Sequence, residues 1–193
     1  MTNNADRAGF PRHIELTAPR EQTIILTGFP GLAVSDGRND ALDIILNTLN
    51  GLSSDLMINI RDRKGLAYYT GAYHRAGLQP GYMAIYSGTR LDAAGRVNAL
   101  ILDEIKRIAS RGVRLEEFER ARLQAVTGHR EKLQVNSSLA MDCALCELYG
   151  LGFAHSLETE KRLSLLNPED IRRAAAEILQ VGKMVTVTVK PEK

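Results

Sequence analysis

Four histidines, His13, His74, His129 and His155, come first, because imidazole serves as metal ligand, general base and proton shuttle. No two stand three to five positions apart, the spacing that sets two rings on one helix face over one metal ion. His155-Ser-Leu-Glu158 begins like the inverted zinc pattern His-x-x-Glu-His, but Thr159 stands where the second imidazole belongs. His74 follows an aromatic stretch with no serine or cysteine nucleophile motif beside it, and reads as a sheet-edge residue. Cys143 and Cys146 have no second pair of ligands nearby and lie inside a helical pattern instead of opening one. They read as buried, inert packing residues. Gly28-Phe-Pro-Gly31 lacks the Lys-Ser/Thr of a phosphate loop and the glycine spacing of a dinucleotide fingerprint, so no cofactor is implied in this chain.

What remains is Arg61-Asp-Arg-Lys-Gly65-Leu-Ala-Tyr68-Tyr69. Arg61 ends a short helix, Gly65 permits a turn with positive φ, and Tyr68 stands on the strand that follows. A guanidinium fork and a phenol brought together can donate hydrogen bonds to a carbonyl or an oxyanion. By spacing alone, a basic helix end favoured by its dipole and a half-buried tyrosine account for the same residues.

These residues need elements to hold them. Thr23 to Phe29 is a short β-branched run closed by Pro30 and Gly31, as in a strand buried on both faces. Leu42, Ile45, Leu46 and Leu49 follow at helical spacing, with Asp36 as N-cap and Gly51 past the end. Ser53 and Ser54 cap a second short helix that carries Leu56, Met57 and Ile60 and ends near Lys64-Gly65. Leu66 to His74 and Tyr82 to Thr89 read as a hairpin with a longer loop, and Thr89 with Asp92 as a capping box for a helix carrying Val97, Ile101, Ile105 and Ile108. A charged surface helix from Leu115 to about Gln134, another from Ser138 to Tyr149, and a well-marked one after Asn167-Pro-Glu-Asp170 precede a last strand of alternating valine and threonine, Val185 to Val189. The order does not alternate strand and helix, so the expected class is α+β: a single domain, mostly antiparallel sheet, helices on one face. Residues 1–20 mix prolines, glycine and polar residues without period and read as a lead-in or interdomain linker before a domain at 21–193.

Composition narrows the function. At 193 residues and 44% hydrophobic the chain can build one core, and 25 basic against 23 acidic side chains leave a net charge of +2. A nucleic-acid or membrane-surface role has no electrostatic support. No apolar run approaches the length of a spanning helix, and Met1 to Ala8 lacks the apolar stretch of a signal peptide, which leaves the compartment open.

The stretch Leu46-Asn-Thr-Leu-Asn-Gly-Leu-Ser-Ser-Asp-Leu-Met-Ile-Asn-Ile-Arg-Asp-Arg-Lys-Gly-Leu-Ala-Tyr68 resembles a segment of the pitrilysin, insulin-degrading-enzyme and mitochondrial processing peptidase family of zinc peptidases. Thr27-Gly-Phe-Pro-Gly31, Ala84-Ile-Tyr-Ser-Gly-Thr89, Gly112-Val-Arg-Leu-Glu-Glu-Phe-Glu-Arg-Ala121 and Asn167-Pro-Glu-Asp170 resemble further family segments in the same order, so the likeness runs from about Thr23 to Pro191. Such peptidases are built from homologous halves closing around a chamber. One half carries His-x-x-Glu-His; the other carries an Arg and a Tyr separated as Arg61 and Tyr68 are here. The resemblance implies the second, non-catalytic half, inactive alone and without a metal of its own. It also implies zinc in a catalytic partner half, in the same polypeptide or a separate subunit, and a peptide substrate toward which Arg61 and Tyr68 donate hydrogen bonds. Self-association of an isolated half through its partner surface is a further expectation. The alternative is a non-proteolytic assembly subunit resembling the core proteins of a respiratory complex.

Overall fold

The computed structural model describes residues 12–51, 53–62 and 65–192, and the side chains of Arg61 and Asp62 lie outside that description. Five strands, β1 (Arg12–Ala18), β2 (Thr23–Pro30), β3 (Ala67–Arg75), β4 (Tyr82–Thr89) and β5 (Val185–Pro191), form one sheet in the order β1-β5-β2-β4-β3. Only β1 and β5 pair in parallel; the other three ladders are antiparallel. The expected α+β class, a mostly antiparallel sheet with helices on one face, is the observed one. Residues 12–18, taken from sequence as part of a lead-in, form β1 and pair residue for residue with β5.

Strand alternation sets the two faces of the sheet. On the helix side Ile25, Phe29, Met83 and Ile85 are buried with Thr23, Thr27, Ser87, Thr89, Thr186 and Thr188. The other side carries Ile24, Leu26, Val185, Val187 and Val189, all only half-buried. The alternation of β5 is therefore inverted relative to a simple hydrophobic reading: its threonines face the helices and its valines face away. Thr27 and Thr186 share a hydrogen bond at 3.3 Å, which satisfies two hydroxyls that would otherwise be desolvated without a partner.

The chain between β2 and β3 forms α1 (Asn39–Leu49) and the single turn α2 (Asp55–Met57), which continues into a wider turn over Ile58–Asp62. Asp36 does not cap α1. It accepts instead from the backbone and guanidinium of Arg38, the residue at the cap position. Ser54 does cap α2, its hydroxyl accepting from the Met57 N–H at 3.1 Å.

After β4 a short 3-10 turn leads into α3 (Ala94–Arg111), whose stripe Val97, Ile101, Ile105 and Ile108 is buried against β2, β4 and a later helix. No capping box opens it, because the Thr89 hydroxyl is spent on the Leu66 carbonyl. Gly112, at φ 73°, ends it in a conformation that favours glycine. Next come α4 (Leu115–Leu133), α5 (Asn136–Leu148), α6 (Ala154–Leu157), α7 (Thr159–Leu165) and α8 (Pro168–Ile178). Asn167 caps α8, accepting from the N–H groups of Glu169 and Asp170, and Asp170 reaches back to the Asn167 N–H. α1 is buried on nearly all sides because it lies between the sheet and a second helix layer of α4 and α7.

α5 has no buried residue and packs only on α4 and α6. Cys143 and Cys146 are thus half-exposed, not buried as their composition suggested. Their helix never reaches the core.

Candidate functional site

Everything in the Arg61 to Tyr68 segment hangs on one closure. The Leu66 N–H donates to the Ile60 carbonyl at 2.8 Å, so the chain leaves Ile60, turns, and returns beside it within six residues. Ile60 is fully buried and Leu66 nearly so, anchoring both ends of the turn in the core. Gly65, at φ 57°, adopts the left-handed conformation the return requires. Arg61 therefore follows one anchor directly and Tyr68 follows the other by two residues. The two residues thus flank one closure, while the Arg61 side chain lies outside the described residues.

Tyr68 owes its exposure to a β-bulge. Ala67 pairs with Thr89 and Tyr69 with Gly88, so Tyr68 is the extra residue on β3. The burial sequence from Ala67 to Thr70 is buried, exposed, exposed, buried. Without the bulge, strict alternation would send one of the two tyrosines into the core. Thr89 and Ser87 hold the bulge from the neighbouring strand, their hydroxyls donating to the carbonyls of Leu66 and Tyr69. Tyr69 then lies across β4 over Gly88, where a Cβ would sit only 2.4 Å from the ring. Tyr68 stands free of it, 57% exposed at the end of the sheet.

The exposed face beyond Tyr69 is aromatic. Tyr69 meets Tyr86, Tyr86 meets Tyr73, and Tyr73 meets Tyr82 edge-on, with centroids 5.9 to 6.0 Å apart. Gly71 makes room for this ladder, since the Tyr86 hydroxyl occupies the space of its missing side chain. On the outer edge of β3, the Asn50 amide donates to the Ala72 carbonyl and accepts from its N–H, pairing like one residue of an added strand.

The turn bearing Arg61 is also held from behind. Glu117, only 2% exposed at its side chain, accepts from Arg107, from the Arg114 guanidinium and from the Arg114 backbone N–H. Arg114 reaches on to Asp55, at the first turn of α2, and Arg107 also binds Glu104. One charged cluster thereby ties α3, α4 and α2, and α2 runs directly into the Arg61 turn. Asp55, Glu104 and Glu117 are also the group of acids or imidazoles among the described residues close enough to share an ion. All three carboxylates are already engaged by Arg107 and Arg114, a donor set that fits ion pairing and not zinc.

His74 has a structural partner. Its Nε2 accepts from the Leu32 N–H at 3.1 Å, which fixes the neutral ring with its proton on Nδ1 and pins the chain after β2 to β3. Burial holds its pKa below the ordinary histidine value. It has no nucleophile to serve.

The sequence profile described as "Peptidase M16 inactive domain" matches residues 5–125. The chain belongs to the peptidase M16 inactive-domain family. An uncharacterized zinc protease of Streptomyces coelicolor is 28% identical over 160 residues, 82% of this chain but 35% of that protein. The chain thus spans about a third of the length of that curated relative. The inactive peptidase domain of a putative zinc protease from Bordetella parapertussis superposes with a TM-score of 0.80 at 16% identity, covering 91% of this chain and 96% of that one. A chain of complex III2 from Candida albicans superposes with a TM-score of 0.81 at 12% identity, covering 92% of this chain and 45% of that one. The M16 inactive-domain fold therefore accounts for about nine-tenths of the chain, 91% in the Bordetella parapertussis superposition. Among the described residues no helix is long and apolar enough to cross a membrane.

The bulge, the Thr89 bond to Leu66 and the clamping role of Glu117 escape the sequence reading. Their signals are faint: two consecutive tyrosines at a strand start, and a glutamate in the first turn of a helix opened by Arg114.

Proposed function

We propose that this M16 inactive domain is the substrate-side half of a zinc endopeptidase, completing a peptide-binding chamber with a catalytic half that carries the metal. One observation carries the reading: a bulge set by Gly88, Ser87 and Thr89 pushes Tyr68 out of the sheet beside the closed turn that bears Arg61. A tyrosine kept only for packing would be poorly served by a position with more than half its surface in solvent. In the assembled enzyme, zinc in the partner half supplies the activated water. Tyr68 and Arg61 donate hydrogen bonds to the substrate carbonyl as it becomes a tetrahedral oxyanion, and donors of this kind are worth about 10²- to 10³-fold in turnover.

The half-buried valine and isoleucine face of the sheet, continuous with the tyrosine ladder, supports the partner half of the proposal. A non-proteolytic assembly role is the second reading, favoured by the likeness to the complex III2 chain. Mixing the chain with its catalytic half separates the two. Restored hydrolysis that falls at least about tenfold in kcat with Tyr68→Phe, at nearly constant KM, is the expected result. Hydrolysis indifferent to both Tyr68→Phe and Arg61→Ala would remove the chemical role, and stable pairing with no hydrolysis at all would favour the assembly reading.

A further inference from the structure

An open depression of about 680 Å³ lies between α4 and α7, on the helical side of the molecule. Its walls bring three guanidiniums, Arg120, Arg122 and Arg130, together with two carboxylates, Glu119 and Glu160. Both carboxylates are taken: Glu119 by Arg122 at 2.5 Å, and Glu160 by the Nε and Nη2 of Arg130. Arg120 is left over. Its Nε and Nη2 are shut off from solvent and have no hydrogen-bond partner among the described residues.

The Nε and Nη2 hydrogens lie along one edge of the guanidinium, matched to the two oxygens of a carboxylate. Arg38, Arg107, Arg130, Arg162 and Arg172 each set this edge on a carboxylate of the same chain. Arg120 has the same edge desolvated and unanswered, a costly state for a cation. Beside it, Leu123 and Val126 form an apolar wall, Leu123 being 68% exposed.

We propose that this depression binds a carboxylate carrying a short apolar substituent, with the Arg120 edge as bidentate partner and Leu123 and Val126 against the substituent. One unpaired guanidinium supplies a single positive charge and two aligned donors, which matches a carboxylate. A phosphate dianion brings more charge and more acceptor oxygens than the wall can answer, because Arg122 and Arg130 are already neutralised. Since the edge is covered, binding includes a small outward turn of the guanidinium, exchanging an unpartnered burial for two charge-assisted bonds. The inference rests on α4 and α7 alone and does not depend on the role given to Tyr68.

The test is a titration of the 193-residue chain followed by the Arg Nε–H resonances and the Leu123 and Val126 amides. Hexanoate, acetate, hexanol and inorganic phosphate are the probes. Hexanoate is expected to give a saturable shift with a Kd on the order of millimolar, acetate to bind several-fold more weakly, and hexanol and phosphate to leave the resonances in place. Arg120→Lys should weaken hexanoate about tenfold, since an ammonium cannot present the paired edge. Leu123→Asn should bring hexanoate down to the affinity of acetate. A hexanoate shift that fails to saturate in the wild-type chain overturns the proposal without any variant. Equal binding by Arg120→Lys, or phosphate competing as well as hexanoate, would overturn it too.

Discussion

Tyr68 and Gly88 act together although neither touches chemistry through the other's side chain. The glycine lets the Tyr69 ring lie down on β4, and that leaves the bulged Tyr68 to stand clear. Gly88→Ala places a methyl within 2.4 Å of the Tyr69 ring, so the ring or the strand must shift. Because the obstructing atoms are the far end of a 40%-exposed side chain, the ring can swing aside at a cost below about 1 kcal/mol, which urea denaturation of the variant would register as a small fall in midpoint. Tyr68→Phe should cost less still, leaving the midpoint within about 0.5 kcal/mol, because the lost hydroxyl is at an exposed position. A stability loss well beyond that would mean the phenol is structural. Arg61 and Tyr68 were legible as a pair only through resemblance; their spacing alone fits a plain helix end. The bulge was not legible at all, because a bulge is a relation between two strands and neither strand encodes the register by itself.

At the scale of elements, the charged cluster around Glu117 decides where α2 sits. Glu117→Gln replaces the buried carboxylate with a neutral amide, but Arg107 keeps Glu104 and the 58%-exposed Arg114 keeps Asp55, so the cost is about 1 to 3 kcal/mol. The expected readout is a fall in unfolding free energy of that size, with amide exchange accelerated more over Ile58–Asp62 than in the strands of the sheet. His74 gives the segment after β2 a pH dependence. Its pKa is lowered from 6.5 in the folded chain, mainly by burial, so the unfolded chain takes up the proton first. The stability it contributes is present above pH 6.5 and is lost as the pH falls below that value toward the folded pKa. His155, lowered for the same leading reason with Arg162 adding to it, acts in the same direction. His74→Gln keeps an acceptor for the Leu32 N–H and should flatten the fall in melting temperature between about pH 6.5 and 5. An unchanged slope would assign the acid sensitivity elsewhere. Most helices and the central hairpin were legible, because their caps and apolar stripes are local. β1 was not, since Pro19 and the mixed polar run before it suit a linker, and only pairing with β5, more than 160 residues away, makes it a strand. α5 failed the other way: its helical pattern is sound, but burial depends on what lies alongside, and α4 and α6 cover it only in part.

Among the described residues the helices cover one side of the sheet. Ile24, Leu26, Val185, Val187 and Val189 stand half-buried opposite the helices, and Leu16 on β1 is 52% exposed on the same side. Sedimentation of the isolated chain is expected to show concentration-dependent self-association, and Val187→Lys, in the middle of β5, should abolish it while leaving the helix-side core and the melting temperature nearly unchanged. A strictly monomeric wild-type chain at high concentration would show that this face is content in water. Sequence reading marks β5 only as a strand of alternating valine and threonine, and which set turns toward the helices depends on the neighbours it meets. Here the helix side carries Thr186 and Thr188, whose hydroxyls pair with Thr27 and with His13, and the valines stand on the opposite side.

That inversion bears on the life of the molecule in the cell. Under the proposed pairing, a newly made copy would finish folding with this apolar face still outward, so its survival would become a race between covering that face and being recognised by chaperones or degradative proteases. With the catalytic half encoded as a separate subunit, abundance would follow the supply of that half, whereas a catalytic half in the same polypeptide would cover the face as soon as both halves had folded.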